Sequence, residues 1–101
     1  MARLVWTHRA TTDLNEIAEY IAFDNYSAAM RFAGRVYAHA EQLARHPLSG
    51  SVPPELSNSE YRQIVEPPCR IFYKIKGDTV FIVHVMRSES ILRPGRLEDL
   101  E

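Results

Sequence analysis

Seven basic residues, Arg62, Arg70, Lys74, Lys76, Arg87, Arg93 and Arg96, stand between positions 62 and 96, against three acidic ones, Glu66, Asp78 and Glu89. Such residues can neutralise phosphate or carboxylate charge. They cannot by themselves relay protons, because the arginine pKa is too high for ordinary proton transfer. His84 is the one imidazole in this half, and its place inside the apolar run Val80 to Met86 reads as a core or helix-facing position. His8, His39 and His46 fall in the other half, at helix starts, faces or ends, and read as surface residues. The single Cys69 cannot form an internal disulfide, and no cysteine–histidine spacing suggests a zinc site, so a reduced structural thiol is expected. The formal net charge of -1 argues against general nucleic-acid binding. The basic half instead suits an acidic partner or a local nucleic-acid contact, with a solvated strand face as the plain alternative.

The elements that must position these residues follow from periodicity. Arg70 to Lys76 alternates, with Ile71, Tyr73 and Ile75 on one face and Arg70, Phe72, Lys74 and Lys76 on the other. Gly77-Asp78 supplies the positive φ angles of a tight turn, and Thr79 to Arg87 returns as a strand apolar on both faces. Strict alternation would set Val80, Ile82, His84 and Met86 against Phe81, Val83 and Val85. A strand of this kind is covered on both sides, here by helices on one and by the chain's tail or a partner on the other.

Upstream, Arg3 to Trp6 reads as a short strand, followed by a helix from His8 to Asp24 with Thr7 as its N-cap. A second helix runs from Tyr26 to His46, with Asn25 or Ser27 as cap. Their stripes (Leu14, Ile17 and Ile21; Phe32, Val36 and Leu43) should pack on Ile71, Tyr73 and Ile75. Pro47, Gly50, Pro53 and Pro54 form a stiff loop, and Tyr61 to Glu66 is a strand ended by Pro67-Pro68. The expectation is one α+β domain over residues 1–101, a small antiparallel sheet covered on one face by a helical hairpin in the order β-α-α-β-β-β. Residues 88–101 are expected to form a tail, flexible or partner-contacting, whose deletion leaves a folded domain. No apolar run reaches the length of a signal peptide or a membrane span, so a cytoplasmic protein is expected.

These elements carry a resemblance that runs nearly end to end. Trp6-Thr7, Ala10, Asp13-Leu14, Ile17, Tyr20-Ile21-Ala22, Asp24-Asn25, Ala28-Ala29 and Arg31-Phe32 take part. So do Leu43, Pro47-x-x-Gly50, Val52-Pro53, Glu55-Leu56, Tyr61-Arg62 and Arg70-Ile71-Phe72-Tyr73. In this order and spacing the chain resembles toxins of the RelE/ParE superfamily, the toxic half of bacterial type II toxin–antitoxin pairs. The Asp24-Asn25-x-x-Ala28-Ala29 junction and the long second helix resemble the ParE branch, whose members inhibit DNA gyrase, whereas RelE members cut mRNA on the ribosome.

The ParE resemblance implies a binding protein that blocks replication by stabilising the gyrase–DNA cleavage complex, with no catalytic residue, cofactor or metal. It also implies a ParD-like antitoxin, in a homodimer or heterotetramer, whose disordered segment folds on the toxin. The expected antitoxin surface is Arg62, Arg70, Phe72, Lys74 and Val85, and the expected gyrase-contacting residues are Arg87, Arg93 and Arg96. The alternative is a ribosome-dependent endonuclease in which Arg70 and Arg87 hold the phosphorane charge. In that pattern lysines would occupy the positions of Tyr61 and Gln63. A tyrosine or histidine would stand where Ile91, Leu92 and Arg93 are found. Attack by a 2′-hydroxyl needs a proton acceptor and a proton donor, and those positions offer neither.

Overall fold

The computed structural model describes residues 1–101. Strand β1 (Arg3–Trp6) leads through Thr7 into helix α1 (His8–Asp24), and Asn25 separates α1 from α2 (Tyr26–Arg45). Both breaks are built from local hydrogen bonds. Thr7 Oγ1 accepts from the Ala10 N–H at 3.2 Å, and Asn25 Oδ1 accepts from the Ala28 N–H at 2.9 Å, each satisfying an orphan donor of the first helical turn. Strands β2 (Tyr61–Glu66), β3 (Cys69–Lys76) and β4 (Thr79–Arg87) then form a meander, and a short helix α3 (Arg96–Leu100) closes the chain. At the β3–β4 turn only Gly77 takes a positive φ, 61°; Asp78 does not.

The sheet order is β1-β4-β3-β2. Its three later strands are antiparallel, and β1 joins β4 in parallel, so one edge is mixed rather than antiparallel. The parallel pairing is locked at its end by Thr7, whose N–H and hydroxyl both donate to the Ile82 carbonyl, at 3.0 and 2.9 Å.

The helical hairpin covers one face. Leu14, Phe32, Val36 and Leu43 are buried against Ile71 and Tyr73, with Ile17, Ile21 and Ile75 packed around them. The other face has its own core, in which Leu92 and Leu97 of the tail lie on Tyr61, Phe72 and Val83. The residues after Arg87 are therefore part of the fold, and the expectation of a dispensable tail is corrected. Two buried leucines on a strand pair that is apolar on both faces remove surface from water that the hairpin cannot reach.

A bulge decides which face the end of β4 presents. Phe72 pairs with His84 while Tyr73 pairs with Ile82, leaving Val83 as the extra residue. Beyond it the alternation is reset. Val85 joins the hairpin-side core, and Met86 packs with the tail-side cluster, the reverse of the strict two-residue alternation.

Candidate functional site

Arg70 is the most heavily engaged side chain on the tail-side face. Strand alternation aims it away from the hairpin, and the loop before β2 brings Glu55 over it. Its guanidinium donates to both Glu55 carboxylate oxygens, at 2.9 and 2.7 Å, and to Gln63 Oε1 at 3.1 Å. It also donates to the Ser90 carbonyl at 3.1 Å. Glu55 in turn accepts from the Leu92 N–H at 3.3 Å. Arg70 Nε is buried without a partner, and the guanidinium carbon lies 5.1 Å from the centre of the Phe72 ring. The bidentate pair holds the Glu55 carboxyl far below its ordinary value, at about 2, chiefly through the Arg70 hydrogen bonds. One arginine thus ties the proline loop, strand β2 and the tail to β3.

A second attachment lies at the other end of the tail. Glu101 accepts from the Tyr61 hydroxyl and pairs with Lys74. Burial, reinforced by this carboxylate, raises the Tyr61 pKa, so the phenol stays a donor. Lys74 and Tyr61 are paired across β3 and β2, which is why a single carboxylate reaches both.

The residues expected to form one antitoxin surface are divided by the sheet. Arg70, Phe72 and Lys74 face the tail, which covers them. Arg62 pairs with Tyr73 across the strands and donates to the Gly50 carbonyl at 2.6 Å, on the hairpin side. Val85 is buried in the hairpin-side core because of the bulge. The five do not share a face. Arg87, Arg93 and Arg96 remain accessible at the end of β4 and along the tail. Arg87 bonds Glu89 at 2.8 Å and sits over the Tyr20 ring at 5.7 Å, while Arg93 and Arg96 make no ion pair.

The residues at the positions named for the nuclease alternative have these surroundings. Tyr61 is bound to Glu101, Gln63 to Arg70, and Arg70 to four acceptor atoms on Glu55, Gln63 and Ser90. Ile91 and Arg93 point to solvent and Leu92 into the core. His84 lies on the tail-side face, its ring stacked on the paired Phe72, and its Nδ1 meets Asp13 Oδ2 of α1 at 2.6 Å at the edge of β4. The same carboxylate oxygen accepts from the Val85 N–H at 3.2 Å, so Asp13 continues the edge of β4 where β1 has ended. The Cys69 thiol is buried, and that burial pushes its pKa up to about 11. No three His, Cys, Asp or Glu side chains converge on a metal-sized point, and no helix is long and apolar enough to cross a membrane.

Glu55 and Asp13 are the residues that reading along the chain did not assign. Each acts on a partner distant in sequence, Arg70 for one and the β4 edge for the other. The only local signal was their presence in the resemblance pattern, as Glu55-Leu56 and Asp13-Leu14.

The family model described as ParE toxin of type II toxin–antitoxin system, parDE, matches residues 4–92. The chain belongs to the ParE toxin family. Among curated relatives, this ParE-family chain is 37% identical over 86 residues to a protein named Toxin RelE2 from Caulobacter vibrioides, covering 84% of this chain and 93% of that protein. It is 35% identical to Putative toxin Y4kP of Sinorhizobium fredii, covering 85% and 88%. Among solved structures it is similar to a chain of the chromosomal ParDE system from P. aeruginosa, with a TM-score of 0.74 and 23% identity over 88% of this chain and 98% of that one. It is also similar to a chain of the RelBE2 toxin–antitoxin complex from Mycobacterium tuberculosis, with a TM-score of 0.56 and 22% identity over 88% and 93%. The two structural likenesses concern the fold: an open four-stranded sheet under a helical hairpin.

Proposed function

We propose that this ParE-family toxin acts by binding DNA gyrase in the cytoplasm, holding the gyrase–DNA cleavage complex and so blocking replication, and that a ParD-like antitoxin neutralises it. The observation that carries this reading is the commitment of Arg70. An arginine held by Glu55, Gln63 and Ser90 is a structural clamp and is not free to steady a phosphorane. The family match over residues 4–92 supports the ParE branch. The exposed, unpaired Arg93 and Arg96, with Arg87 at the end of β4, are the proposed gyrase-contacting residues.

The test sets a gyrase supercoiling and cleavage assay beside a translating extract scored for mRNA cuts. Wild-type protein should inhibit supercoiling or trap cleaved DNA and leave mRNA intact. Charge reversal at Arg93 and Arg96 together should abolish the gyrase effect while the protein stays folded, because neither side chain supports the core. Ribosome-dependent mRNA cleavage by the wild type, with no effect on gyrase, would overturn this reading and establish the endonuclease one.

A further inference from the structure

Helix α1 turns two aromatic side chains to solvent in its last two turns. Tyr20 and Phe23 are 72% and 93% exposed, while Leu14, Ile17 and Ile21 carry the side of the helix that meets the core. Neither aromatic belongs to either core. Glu16 stands one turn before Tyr20 and Glu19 one turn before Phe23, so carboxylates and rings share one face.

The Tyr20 ring is backed from the sheet. The Arg87 guanidinium carbon lies 5.7 Å from its centre, and Arg87 Nε donates to Glu89 at 2.8 Å. Between α1 and the end of β4 lies a cleft of about 360 Å³ lined by Glu16, Ile17, Tyr20, Arg87 and Glu89. Its charge balance is acidic. Glu89 neutralises Arg87, whereas Glu16 makes no ion pair, and neither do Glu19 and Asp24 farther along the helix. Unpaired carboxylates repel a phosphate backbone and attract a lysine or arginine. An aromatic ring held in place by an arginine, beside a second ring in water, has the make-up of the anchor region of a protein interface.

From this juxtaposition we infer that the Tyr20 and Phe23 face of α1, with the cleft at Arg87, docks on a protein surface of gyrase and not on its DNA. The gyrase segment brings apolar side chains that cover Tyr20 and Phe23, and a lysine or arginine that pairs with Glu16. The inference rests on the gyrase reading and names which component of the gyrase–DNA complex this face meets. Arg87 is common to both, since it is already a proposed gyrase contact and its guanidinium forms one wall of the cleft.

Binding of the toxin to purified gyrase without DNA, followed by surface plasmon resonance, tests this beside the supercoiling assay. Wild-type toxin should bind DNA-free gyrase. Phe23→Ala should weaken that binding by about 30-fold or more and leave the melting temperature unchanged, because the side chain supports no core. Glu16→Lys should weaken it by about 10-fold or more. Wild-type toxin that inhibits supercoiling without binding DNA-free gyrase overturns the inference and leaves the gyrase reading standing. Unchanged affinity of Phe23→Ala overturns it equally. Tighter binding of Glu16→Lys to the gyrase–DNA complex assigns the cleft to DNA and overturns it too, as does a dimer of the toxin alone that Phe23→Ala abolishes. If wild-type toxin neither binds nor inhibits gyrase, the gyrase reading falls and takes this inference with it.

Discussion

Replacing Glu55 by Gln keeps the shape of the side chain and removes its charge, and the effect on stability should depend on pH in a defined way. The folded-state carboxyl titrates at about 2 against an ordinary value of 4.5, the largest cause being its hydrogen bonds from Arg70. A lowering of that size corresponds to about 3 kcal/mol of stability at neutral pH. A quarter of the Glu55 side chain, 26%, is exposed, and solvent screening reduces the figure to about 2 kcal/mol. The folded value lies below the unfolded one, so the contribution is fully present above about pH 4.5 and is lost as the pH falls toward 2. Urea unfolding followed by far-ultraviolet circular dichroism at pH 7, 5, 4 and 3 measures it. The gap between wild type and Glu55→Gln should be about 2 kcal/mol at pH 7 and 5, and should shrink to below about 1 kcal/mol at pH 3. The other carboxylates titrate in both proteins and cancel. A gap of the same size at pH 3 and pH 7 would refute the argument, since it would mean that the loss comes from packing and not from the charged clamp.

Leu97→Ala should cost about 2–5 kcal/mol and lower the melting temperature by at least about 10 °C, because the tail-side core has few other buried side chains; an unchanged melting curve would show that the tail is merely draped on the sheet. A chain ending at Arg87 should fail to unfold cooperatively, since it lacks Leu92, Leu97 and the Ser90 carbonyl that Arg70 uses, and a sharp unfolding transition for it would contradict this account. Asp13→Ala removes the acceptor for both His84 and the Val85 N–H and should destabilise by about 1–3 kcal/mol, read as a lower urea midpoint at unchanged slope. Gly50→Ala would place a methyl group 2.5 Å from the Gln63 carbonyl oxygen and 2.6 Å from the Tyr73 hydroxyl, so a cost of about 1–3 kcal/mol is expected, and a neutral result would show that the proline loop can move away.

Much of this architecture is legible in the order of residues, because it depends on neighbours a few positions apart. The helical stripes of Leu14, Ile17 and Ile21 and of Phe32, Val36 and Leu43, the caps at Thr7 and Asn25, and the bounds of β2, β3 and β4 are local in this sense. So was the need for a cover on both faces of β4, and the tail supplies the one that the helices do not. The site was harder to read. Of Arg62, Arg70, Phe72, Lys74 and Val85, read as one surface, Val85 falls away because strict two-residue alternation fails at Val83, and Arg62 because its pairing with Tyr73 is not visible along the chain.

Sequence alone determined the order of elements and the two-sided burial of the last strands, since both follow from residue types and short-range periodicity, while the family was carried by a resemblance in named residues and their spacing. Tertiary structure decided the rest. A bulge is a mismatch between two strands and cannot be seen in either one, so the side on which Val85 falls was settled only by pairing with β3. Whether Arg70 is a free cation or a clamp depended on Glu55 and Ser90, which lie 15 and 20 residues away and meet it only once the loop and the tail have folded over the sheet. Charge in a sequence states what a side chain can attract; the fold states which partner has already claimed it.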